Sequence, residues 1–428
     1  MIGVILAGGK GSRLISVTKD EIPKPLAKIY GKPIIEHCIN QLKQFGIQEL
    51  YITVGHLHEK IENYLGNGDR LGVSIHYIVE GAPLGSGGAL YYLKEKVTDD
   101  LVICSGDVIF SLDINKIHEY HKSKDALITL VTHPNAHPYD SDLIVTDSNG
   151  RVTAIDKKGK TRAYYYKNNV NAGFLIAKSE TLSYFDCAKQ VNLEHDYVNH
   201  FVQSGRVFAY STPEYIRDVG TEERFCMAEK DLASGLVEQK NLKNRQKAIF
   251  LDRDGVINKY KGFITKSEDI ELIDFVSEAI RKINKSHYMC IIVSNQPVIA
   301  RGECSFDEVE KMFDKIETLL GQDGAYIDAR YYCPHHPHSG YVGEVKELKI
   351  DCNCRKPKIG MLLKAANDFN LDLTSCFMIG DANIDILTGK NAGITTIRVN
   401  TGITEENIEP SDYNVNNLMD AVNVILGE

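Results

Sequence analysis

The feature that most constrains the fold of this chain is an alternation of short apolar strands with amphipathic helices, which begins twice. The first series starts with a strand at residues 3–6, and the second starts at Ala248, after the polar stretch 238–247. Alternating strands and helices build a mostly parallel sheet with helices on its faces. A chain of 428 residues also exceeds what one hydrophobic core usually serves. We therefore predict two α/β domains, at residues 1–235 and 246–428.

The two sheets are predicted to differ in their strand directions. Between about residues 126 and 210, β-branched and tyrosine-rich runs replace the helices, which favours antiparallel strands added to the first sheet. The second series keeps helices between its strands and predicts a parallel sheet, with strands near Ile249, Ile291, Tyr331, Phe377 and Ile397.

Composition and charge indicate which kinds of partner and which cellular compartment to expect. The formal net charge is −9 and no block rich in lysine or arginine is present, which argues against a nucleic-acid or anionic-membrane partner. The longest apolar stretches, such as residues 289–293, are too short to span a bilayer. The apolar N-terminal run has no basic residue before it, unlike a signal peptide. We expect a cytoplasmic protein, and the sequence leaves open whether it forms a homo-oligomer.

Two motifs near the N terminus are suited to phosphate binding. The first strand runs into a glycine-rich turn, LAGGKGSRL at residues 6–14, where backbone N–H groups can approach a polyphosphate without interference from Cβ atoms. Alone, such a turn is often only a tight connection between a strand and a helix. Further along, Lys24 stands between Pro23 and Pro25, which fix the backbone around a cation.

Together these motifs closely resemble the signature of the sugar-1-phosphate nucleotidyltransferases. Further segments follow in the order of that family, with LGSGGA at 84–89, SGD at 105–107, NAG at 171–173 and DVGT at 218–221. The resemblance covers residues 1 to about 230 and implies a Rossmann-like, GT-A-like nucleotide-binding core. It also implies attack of a sugar phosphate on the α-phosphorus of a nucleoside triphosphate, with release of pyrophosphate.

The resemblance implies roles for individual residues. Arg13 would hold the triphosphate, Lys24 would stabilise the charge of the transition state, and Asp107 with Asp218 would hold Mg²⁺. The implied substrate-binding residues are Gly8, Gly9, Gly11, Gly85, Asn171, Gly173, Lys158 and Glu194.

Two of these assignments have alternatives. Lys158 is the candidate for the sugar phosphate, although the family usually has a Glu-Lys pair where this chain reads Ile155, Asp156, Lys157, Lys158. Glu194 and Asp196 are candidates for contacts with sugar hydroxyls, and the start of a solvated helix is an equally good interpretation.

A second set of motifs follows the strands of the second series. Asp252 and Asp254 stand at i and i+2 after an apolar strand, so that both carboxylates point the same way. This pair is unfavourable unless a cation lies between the carboxylates or one of them is protonated. Three more segments follow, VSN at 293–295, RKP at 355–357 and GD at 380–381. In this order they resemble the haloacid-dehalogenase-like (HAD-like) phosphatases, which also have a Rossmann-like sheet.

By this resemblance Asp252 is the nucleophile, and Asp254 is the general acid that later activates water. Mg²⁺ would be held by Asp252, Asp381 and the backbone carbonyl of Asp254. The residues implied in binding the substrate are Ser294, Asn295, Arg355 and Lys356. Asp385 is either a further acidic support or a first-turn helix residue favoured by the helix dipole.

A cysteine-rich loop lies between these phosphatase motifs. Cys333 and His335 are followed by Cys352 and Cys354, a set of three thiolates and one imidazole that matches a closed structural zinc site. His336 and His338 compete with His335 as ligands. The loop has few apolar residues, and zinc would supply the stability that a core cannot.

The zinc-containing branch of these phosphatases includes the D-glycero-D-manno-heptose 1,7-bisphosphate 7-phosphatases and the histidinol-phosphate phosphatases. The segment SNQPVIARG at 294–302 favours the first, although Pro297 and Val298 replace its usual Ser-Gly. Fusion to a nucleotidyltransferase favours it too, because removal of the distal phosphate from a heptose bisphosphate leaves a sugar 1-phosphate.

We therefore expect a bifunctional enzyme of NDP-heptose biosynthesis that uses a heptose bisphosphate and a nucleoside triphosphate, with GTP favoured. Mg²⁺ is expected in both sites and Zn²⁺ in the loop. One alternative is a mannose- or glucose-1-phosphate nucleotidyltransferase fused to a histidinol-phosphatase-like hydrolase. Another is a nucleotide-sugar-binding regulator that has lost catalysis.

Overall fold

The computed structural model describes residues 1–9, 14–19 and 21–427. The chain forms two compact units. The first consists of Met1–His133, Ser141–Lys158 and Asn169–Asn241, and the second of Pro134–Asp140, Gly159–Asn168 and Leu242–Glu428. Within the described ranges, no helix combines the length and the apolar character needed to cross a membrane.

The first unit is built on a mixed sheet. Its helices and strands, in chain order, are β1 (Ile2–Ala7), α1 (Ile15–Thr18), β2 (Lys28–Ile29), β3 (Lys32–Pro33), α2 (Ile34–Gln44), β4 (Glu49–Val54), α3 (His58–Leu65), β5 (Ser74–Val79), β6 (Leu101–Ser105), β7 (Val108–Ser111), α4 (Ile114–Ser123), β8 (Ile128–His133), β9 (Leu143–Thr146), β10 (Val152–Asp156), β11 (Val170–Ala177), a π-helical segment (Leu193–Val198), α5 (Asn199–Val202), β12 (Val207–Ser211), β13 (Tyr215–Asp218), α6 (Glu222–Ala233) and α7 (Leu236–Gln239).

The strand order confirms the predicted mixed sheet. The main path is β10-β9-β11-β6-β1-β4-β5, with β8 beside β11 and β12 beside β8. The strands β6, β1, β4 and β5 are parallel, whereas β11 is antiparallel to β6, β8 and β9. One strand of the later region, β12, pairs parallel with β8. The carboxyl ends of β1, β4 and β6 lie at the same edge of the sheet.

Both faces of this sheet are covered, because side chains alternate along each strand. In β1, Ile5 belongs to one buried core and Val4 to the other. Helix α2 covers the first core with an apolar face of helical spacing, formed by Ile35, Cys38, Ile39 and Leu42.

The second unit has a parallel sheet. Its helices and strands are β14 (Lys247–Leu251), α8 (Val276–Lys285), β15 (Tyr288–Asn295), α9 (Phe306–Gln322), β16 (Ala329–Cys333), α10 (Gly360–Phe369), β17 (Phe377–Gly380), α11 (Asn383–Ala392), β18 (Thr395–Val399), β19 (Tyr413–Val415) and α12 (Leu418–Leu426).

All neighbouring strands in this sheet are parallel, in the order β16-β15-β14-β17-β18-β19. This result confirms the prediction of a parallel C-terminal sheet. Strand β14 is buried on both faces, with Ile249 in one core and Phe250 in the other. Helix α9 begins at a capping box in which Ser305 and Glu308 each accept a backbone N–H of the other.

Candidate active sites

The first candidate site is a cleft of about 420 Å³ at the carboxyl ends of β1, β4 and β6. Ligands of open α/β sheets commonly bind outside these strand ends. The predicted residues that line the cleft are Gly8, Gly9, Lys24, Gly85, Asp107, Gly173 and Glu194. Arg13 and Gly11 lie outside the described residues.

Lys24 is the buried cation of this cleft, with a side chain only 7% exposed. Its Nζ forms an ion pair with Asp107 and lies 3.9 Å from Oδ1 of Asp218. The two carboxylates are neighbours because β13 pairs antiparallel with β7, with Asp218 opposite Val108. Asp218 also accepts hydrogen bonds from Arg224 Nη1 at 2.7 Å and from a backbone N–H at 2.6 Å.

The cleft is also lined by Glu194, which the sequence assigned either to the sugar or to a helix start. Its Oε1 accepts a hydrogen bond from Asn171 Nδ2 at 3.2 Å, and burial raises the pKa of Glu194. Asp196 instead accepts the backbone N–H of Asn192 at 2.7 Å, so that its carboxylate stabilises the start of the π-helical segment. Lys158 is exposed, and it is not among the described residues that line the cleft.

Glu80, which follows β5, is a cleft residue that the sequence motifs did not indicate. Its Oε2 accepts the backbone N–H of Leu84 at 3.1 Å, and burial raises its pKa. A Cβ atom added at Gly8 would lie 2.4 Å from Oε1 of Glu80, so the carboxylate adjoins the glycine-rich turn. Gly85, at φ +75°, has its Cα within close reach of the backbone of Val191, where a Cβ would lie 2.5 Å from the carbonyl oxygen. A signal existed for Glu80, since it stands at a strand end directly before the glycine-rich segment.

The second candidate site is a cavity of about 140 Å³ at the carboxyl ends of β14, β15 and β17. Asp252 follows β14, and its Oδ1 lies 2.8 Å from Nζ of Lys356. The same Nζ lies 2.6 Å from Oδ1 of Asp385, a fully buried carboxylate. Asp381 follows β17, and oxygens of Asp252, Asp381 and Asp385 all lie within 4.8 Å of one another.

The electrostatics of this cluster favour a bound cation. Burial, followed by repulsion from Asp385, raises the pKa of Asp252 to about 8, although Lys356 opposes the shift. The same two causes raise the pKa of Asp381 to about 6. Three clustered carboxylates with one lysine leave excess negative charge, and oxygen ligands of this kind suit Mg²⁺. Asp385 lies in the first turn of α11 and also accepts the N–H of Ala382, the residue that precedes this helix.

The Asp254 side chain lies beside this cluster in its own network of donors. It accepts hydrogen bonds from Arg253 Nη2 at 2.8 Å, Asn258 Nδ2 at 2.9 Å and Gln296 Nε2 at 3.3 Å. Its carboxylate is absent from the group of oxygens around Asp252 and Asp381 among the described residues. The network holds the carboxylate toward the cavity, which it lines. The sequence analysis did not indicate Asn258, and it used Gln296 only as part of the 294–302 segment.

The predicted phosphate-binding residues divide into two groups. Ser294, Asn295 and Lys356 line the cavity. Asn295 also fixes Lys356, because its Oδ1 accepts the N–H of that lysine at 3.0 Å and its Nδ2 donates to the carbonyl at 3.2 Å. Arg355 does not line the cavity as the described residues define it, and its Nη1 donates to the His335 carbonyl at 3.2 Å.

The four predicted zinc ligands come together around one point. The Sγ atom of Cys354 lies 3.2 Å from Cys352 Sγ, 3.4 Å from Cys333 Sγ and 3.3 Å from His335 Nδ1. Zinc–sulfur bonds of about 2.3 Å place tetrahedral ligands a little under 4 Å apart, so the set fits zinc after a small expansion. The competing His336 is not in this group, and its ring accepts the N–H of His338 at 3.3 Å.

The two folds and their sites define a nucleotidyltransferase joined to a HAD-like phosphatase. The model of the nucleotidyl transferase family matches residues 2–235, and that of the HAD-hydrolase-like family matches residues 353–421. The chain belongs to the nucleotidyl transferase family.

Curated relatives match each half over nearly their whole length. The D-glycero-α-D-manno-heptose 1-phosphate guanylyltransferase of Aneurinibacillus thermoaerophilus is 33% identical over 233 residues, which are 54% of this chain and 98% of the relative. The D-glycero-β-D-manno-heptose-1,7-bisphosphate 7-phosphatase of Pasteurella multocida is 38% identical over 185 residues, 42% of this chain and 98% of the relative. The crystal structure of HddC from Yersinia pseudotuberculosis is similar to 54% of this chain, with all of that chain covered, 26% identity and a TM-score of 0.48.

Proposed function

We propose that this chain carries out two consecutive steps of NDP-heptose synthesis. Residues 246–428 would remove the 7-phosphate of D-glycero-D-manno-heptose 1,7-bisphosphate, and residues 1–235 would join the resulting heptose 1-phosphate to GTP. The observation that carries the proposal is the presence, in one chain, of two sites whose relatives act on successive sugar phosphates. Both sites also retain their charged residues, so a regulator without catalysis is disfavoured.

In the phosphatase, the Asp252 carboxylate would attack the phosphorus of the 7-phosphate, and the bond from phosphorus to the sugar O7 would break. Asp254, held by Arg253, would give its proton to O7. Water, deprotonated by Asp254, would then cleave the aspartyl phosphate. Ser294 and Lys356 would bind the phosphoryl oxygens. Mg²⁺, when bound by Asp252, Asp381 and the Asp254 carbonyl, supplies charge neutralisation.

In the transferase, an oxygen of the sugar phosphate would attack the α-phosphorus of GTP, and the bond to the β-phosphate would break to release pyrophosphate. Two polyanions must meet, so charge neutralisation provides most of the catalysis. Lys24, together with Arg13, would supply positive charge at the triphosphate. Asp107 and Asp218 are two carboxylates on paired strands, which fit Mg²⁺ as a counter-ion to the triphosphate.

The proposal is tested by incubating the protein with heptose 1,7-bisphosphate, Mg²⁺ and each of the four common nucleoside triphosphates. We expect inorganic phosphate, pyrophosphate and a product with the mass of GDP-heptose. Mannose 1-phosphate, glucose 1-phosphate and histidinol phosphate serve as competing substrates. Faster turnover of any of these compounds than of the heptose phosphates would overturn the proposed substrate.

The anomeric configuration of the heptose phosphate is tested separately, because the two relatives are named for different anomers. The phosphatase relative is named for the β-bisphosphate and the transferase relative for the α-1-phosphate. We propose that this chain uses the α-anomer in both steps. The transferase acts at the anomeric phosphate itself, whereas the phosphatase acts at C7, far from the anomeric carbon. Conversion of only the β-bisphosphate to a nucleotide sugar would contradict this choice.

We propose that Glu80 selects guanine, and we predict that Glu80→Gln weakens that selection. Guanine presents the adjacent donors N1–H and N2–H₂, which a carboxylate can accept together, whereas adenine presents an acceptor at N1. The KM for GTP should rise about tenfold in Glu80→Gln, as expected for a lost charge-assisted hydrogen bond. The KM for heptose 1-phosphate should stay the same.

A matched control for this prediction is Glu49→Gln, since the Glu49 side chain is half exposed and does not line the cleft. The steady-state rates with GTP and ATP decide the outcome. An unchanged ratio of kcat/KM for the two nucleotides in Glu80→Gln would show that this carboxylate does not read the base.

Zinc is proposed as a structural ion held by Cys333, His335, Cys352 and Cys354, and we predict that Cys352→Ser loses it. The variant should contain far less than one zinc per chain, measured by elemental analysis. Phosphate release should fall as well, because Cys354 directly precedes Arg355 and Lys356. Cys376→Ser is the control, since this cysteine is buried outside the cluster. Full zinc content in Cys352→Ser would exclude this ligand set.

A further inference from the structure

The cavity of the phosphatase unit combines a charged floor with an aromatic mouth. The floor contains Asp252 and Lys356, whose side chains are largely buried. Tyr260 and Phe263 line the same cavity and are 45% and 60% exposed, so they mark its mouth. A phosphoryl group that reaches Asp252 therefore directs the alcohol part of the phosphate ester toward these rings.

The ring of Phe263 is in contact with the guanidinium group of Arg301. The Cζ atom of Arg301 lies 4.0 Å from the ring centroid of Phe263 and 4.7 Å from that of Tyr341, distances at which a cation is attracted to an aromatic face. Its Nη2 lies 3.4 Å from Nε2 of His336. Arg301 is only 12% exposed, and it is not among the described residues that line the cavity. Its contact with the mouth is therefore made through Phe263.

The backbone around Arg301 is fixed by the segment that lies between the two pairs of zinc ligands. The N–H of Val345 donates to the carbonyl oxygen of Ala300 at 3.1 Å. On the other side, a Cβ atom added at Gly302 would lie 1.9 Å from the carbonyl oxygen of Gly343. Contacts on both sides of residue 301 thus determine where its guanidinium group lies.

The two aromatic partners of Arg301 depend on it to different degrees. Tyr341 has further contacts, since Lys349 Nζ lies 4.3 Å from its ring centroid and the His336 ring lies 5.3 Å away, edge to face. Phe263 lies in the irregular segment 259–266 and is mostly exposed. Ordering a mobile side chain costs free energy when a substrate binds. The contact with Arg301 removes part of this cost, because it orders the Phe263 ring beforehand.

We propose that Phe263 is a specificity residue of the phosphatase and that Arg301 is its positioning residue. The Phe263 ring packs on a C–H face of the sugar that carries the phosphate, as aromatic rings in binding pockets pack on apolar parts of their ligands. Arg301 keeps this ring at the mouth before the substrate arrives. Both residues therefore lower the KM for the sugar phosphate and have little effect on kcat. This inference rests on the proposed phosphatase activity.

The test uses Phe263→Leu and Arg301→Lys in the full chain, singly and together. The KM for heptose 1,7-bisphosphate should rise about tenfold in Phe263→Leu and about fivefold in Arg301→Lys, because lysine keeps the charge but loses the planar group that stacks on the ring. The kcat should stay within about threefold of wild type. The double variant should match Phe263→Leu, since Arg301 acts through that ring. Phe306→Leu is the matched control, because Phe306 is 46% exposed and does not line the cavity.

The kinetic outcomes distinguish this role from a direct contact with the substrate. An unchanged KM in Phe263→Leu would overturn the specificity role. Effects on KM that multiply in the double variant would overturn the positioning role, because Arg301 would then act on the substrate by itself, for example as a cation for the second phosphate. Inhibition by inorganic phosphate, which occupies the floor alone, should stay the same in both single variants, and weaker inhibition would place their effect at the floor.

Hydrogen exchange provides a readout that does not depend on the substrate. Peptides that cover residues 259–266 should exchange faster in Arg301→Lys than in wild type, while the zinc content stays the same. Unchanged exchange in these peptides would overturn the positioning role. A wild-type protein that releases no phosphate from heptose 1,7-bisphosphate would instead overturn the proposed function, and the exchange data would still decide the role of Arg301.

Discussion

Replacing Asp252 by asparagine is expected to lower phosphate release from heptose 1,7-bisphosphate by about 10⁴-fold, because the amide cannot form the covalent phosphoryl intermediate. Pyrophosphate release from heptose 1-phosphate and GTP should be unchanged, since Asp252 belongs to the second unit and the transferase cleft to the first. The variant should also fold. Burial and neighbouring carboxylates raise the pKa of Asp252, so a neutral amide relieves repulsion in the metal-free protein.

The measurement is release of phosphate and of pyrophosphate by the same preparation, followed separately. Asp269→Asn is the matched control, because this aspartate is exposed and does not line the cavity. The variant can also be given the bisphosphate and GTP together. Little pyrophosphate should form until heptose 1-phosphate is added. Rapid formation of a nucleotide-linked heptose 7-phosphate would show that the transferase acts first.

The sequence was most informative about the acidic side chains that lie at the ends of buried strands. Asp107, Asp252 and Asp381 each follow a short apolar run, and parallel strands bring such ends to one edge of a sheet. The alternation of strands and helices predicted both sheets, and the motifs predicted which strand ends carry the acidic residues. Residue type and spacing singled out Cys333, His335, Cys352 and Cys354, and the structure brings their ligand atoms together.

The residues that sequence reasoning missed act through tertiary contacts. Gln296 reaches Asp254 from the end of β15, a neighbouring strand of the sheet. Asn258 reaches it from four residues further along the chain, through the turn that follows β14. Glu80 stands at a strand end shortly before the glycine-rich segment 84–89, but its place in the cleft follows from the tertiary contact with the turn at Gly8.

The second large effect is expected on substitution of Lys24, because of where its side chain lies. Its side chain is almost fully buried between Asp107 and Asp218, where it balances two carboxylates in the free protein. In the proposed function, Asp107 and Asp218 would hold Mg²⁺ as the counter-ion of the triphosphate, and the ammonium of Lys24 would then be available to the phosphate oxygens. Removing the charge therefore affects the transition state, in which negative charge is spread over the transferred group.

Lys24→Met, which keeps the length of the side chain without its charge, should lower the kcat of pyrophosphate release about 100- to 1,000-fold. The Mg²⁺ concentration for half-maximal rate should fall rather than rise, because the cation that competes for Asp107 and Asp218 has gone. Initial rates at saturating GTP and heptose 1-phosphate, measured across a Mg²⁺ series, give both quantities. Lys28→Met, at an exposed position nearby, is the control, and the phosphatase rate should be unaffected in both variants. A kcat within threefold of wild type would remove Lys24 from the catalytic machinery, and a higher Mg²⁺ requirement would show that it supports the metal site instead of competing with it.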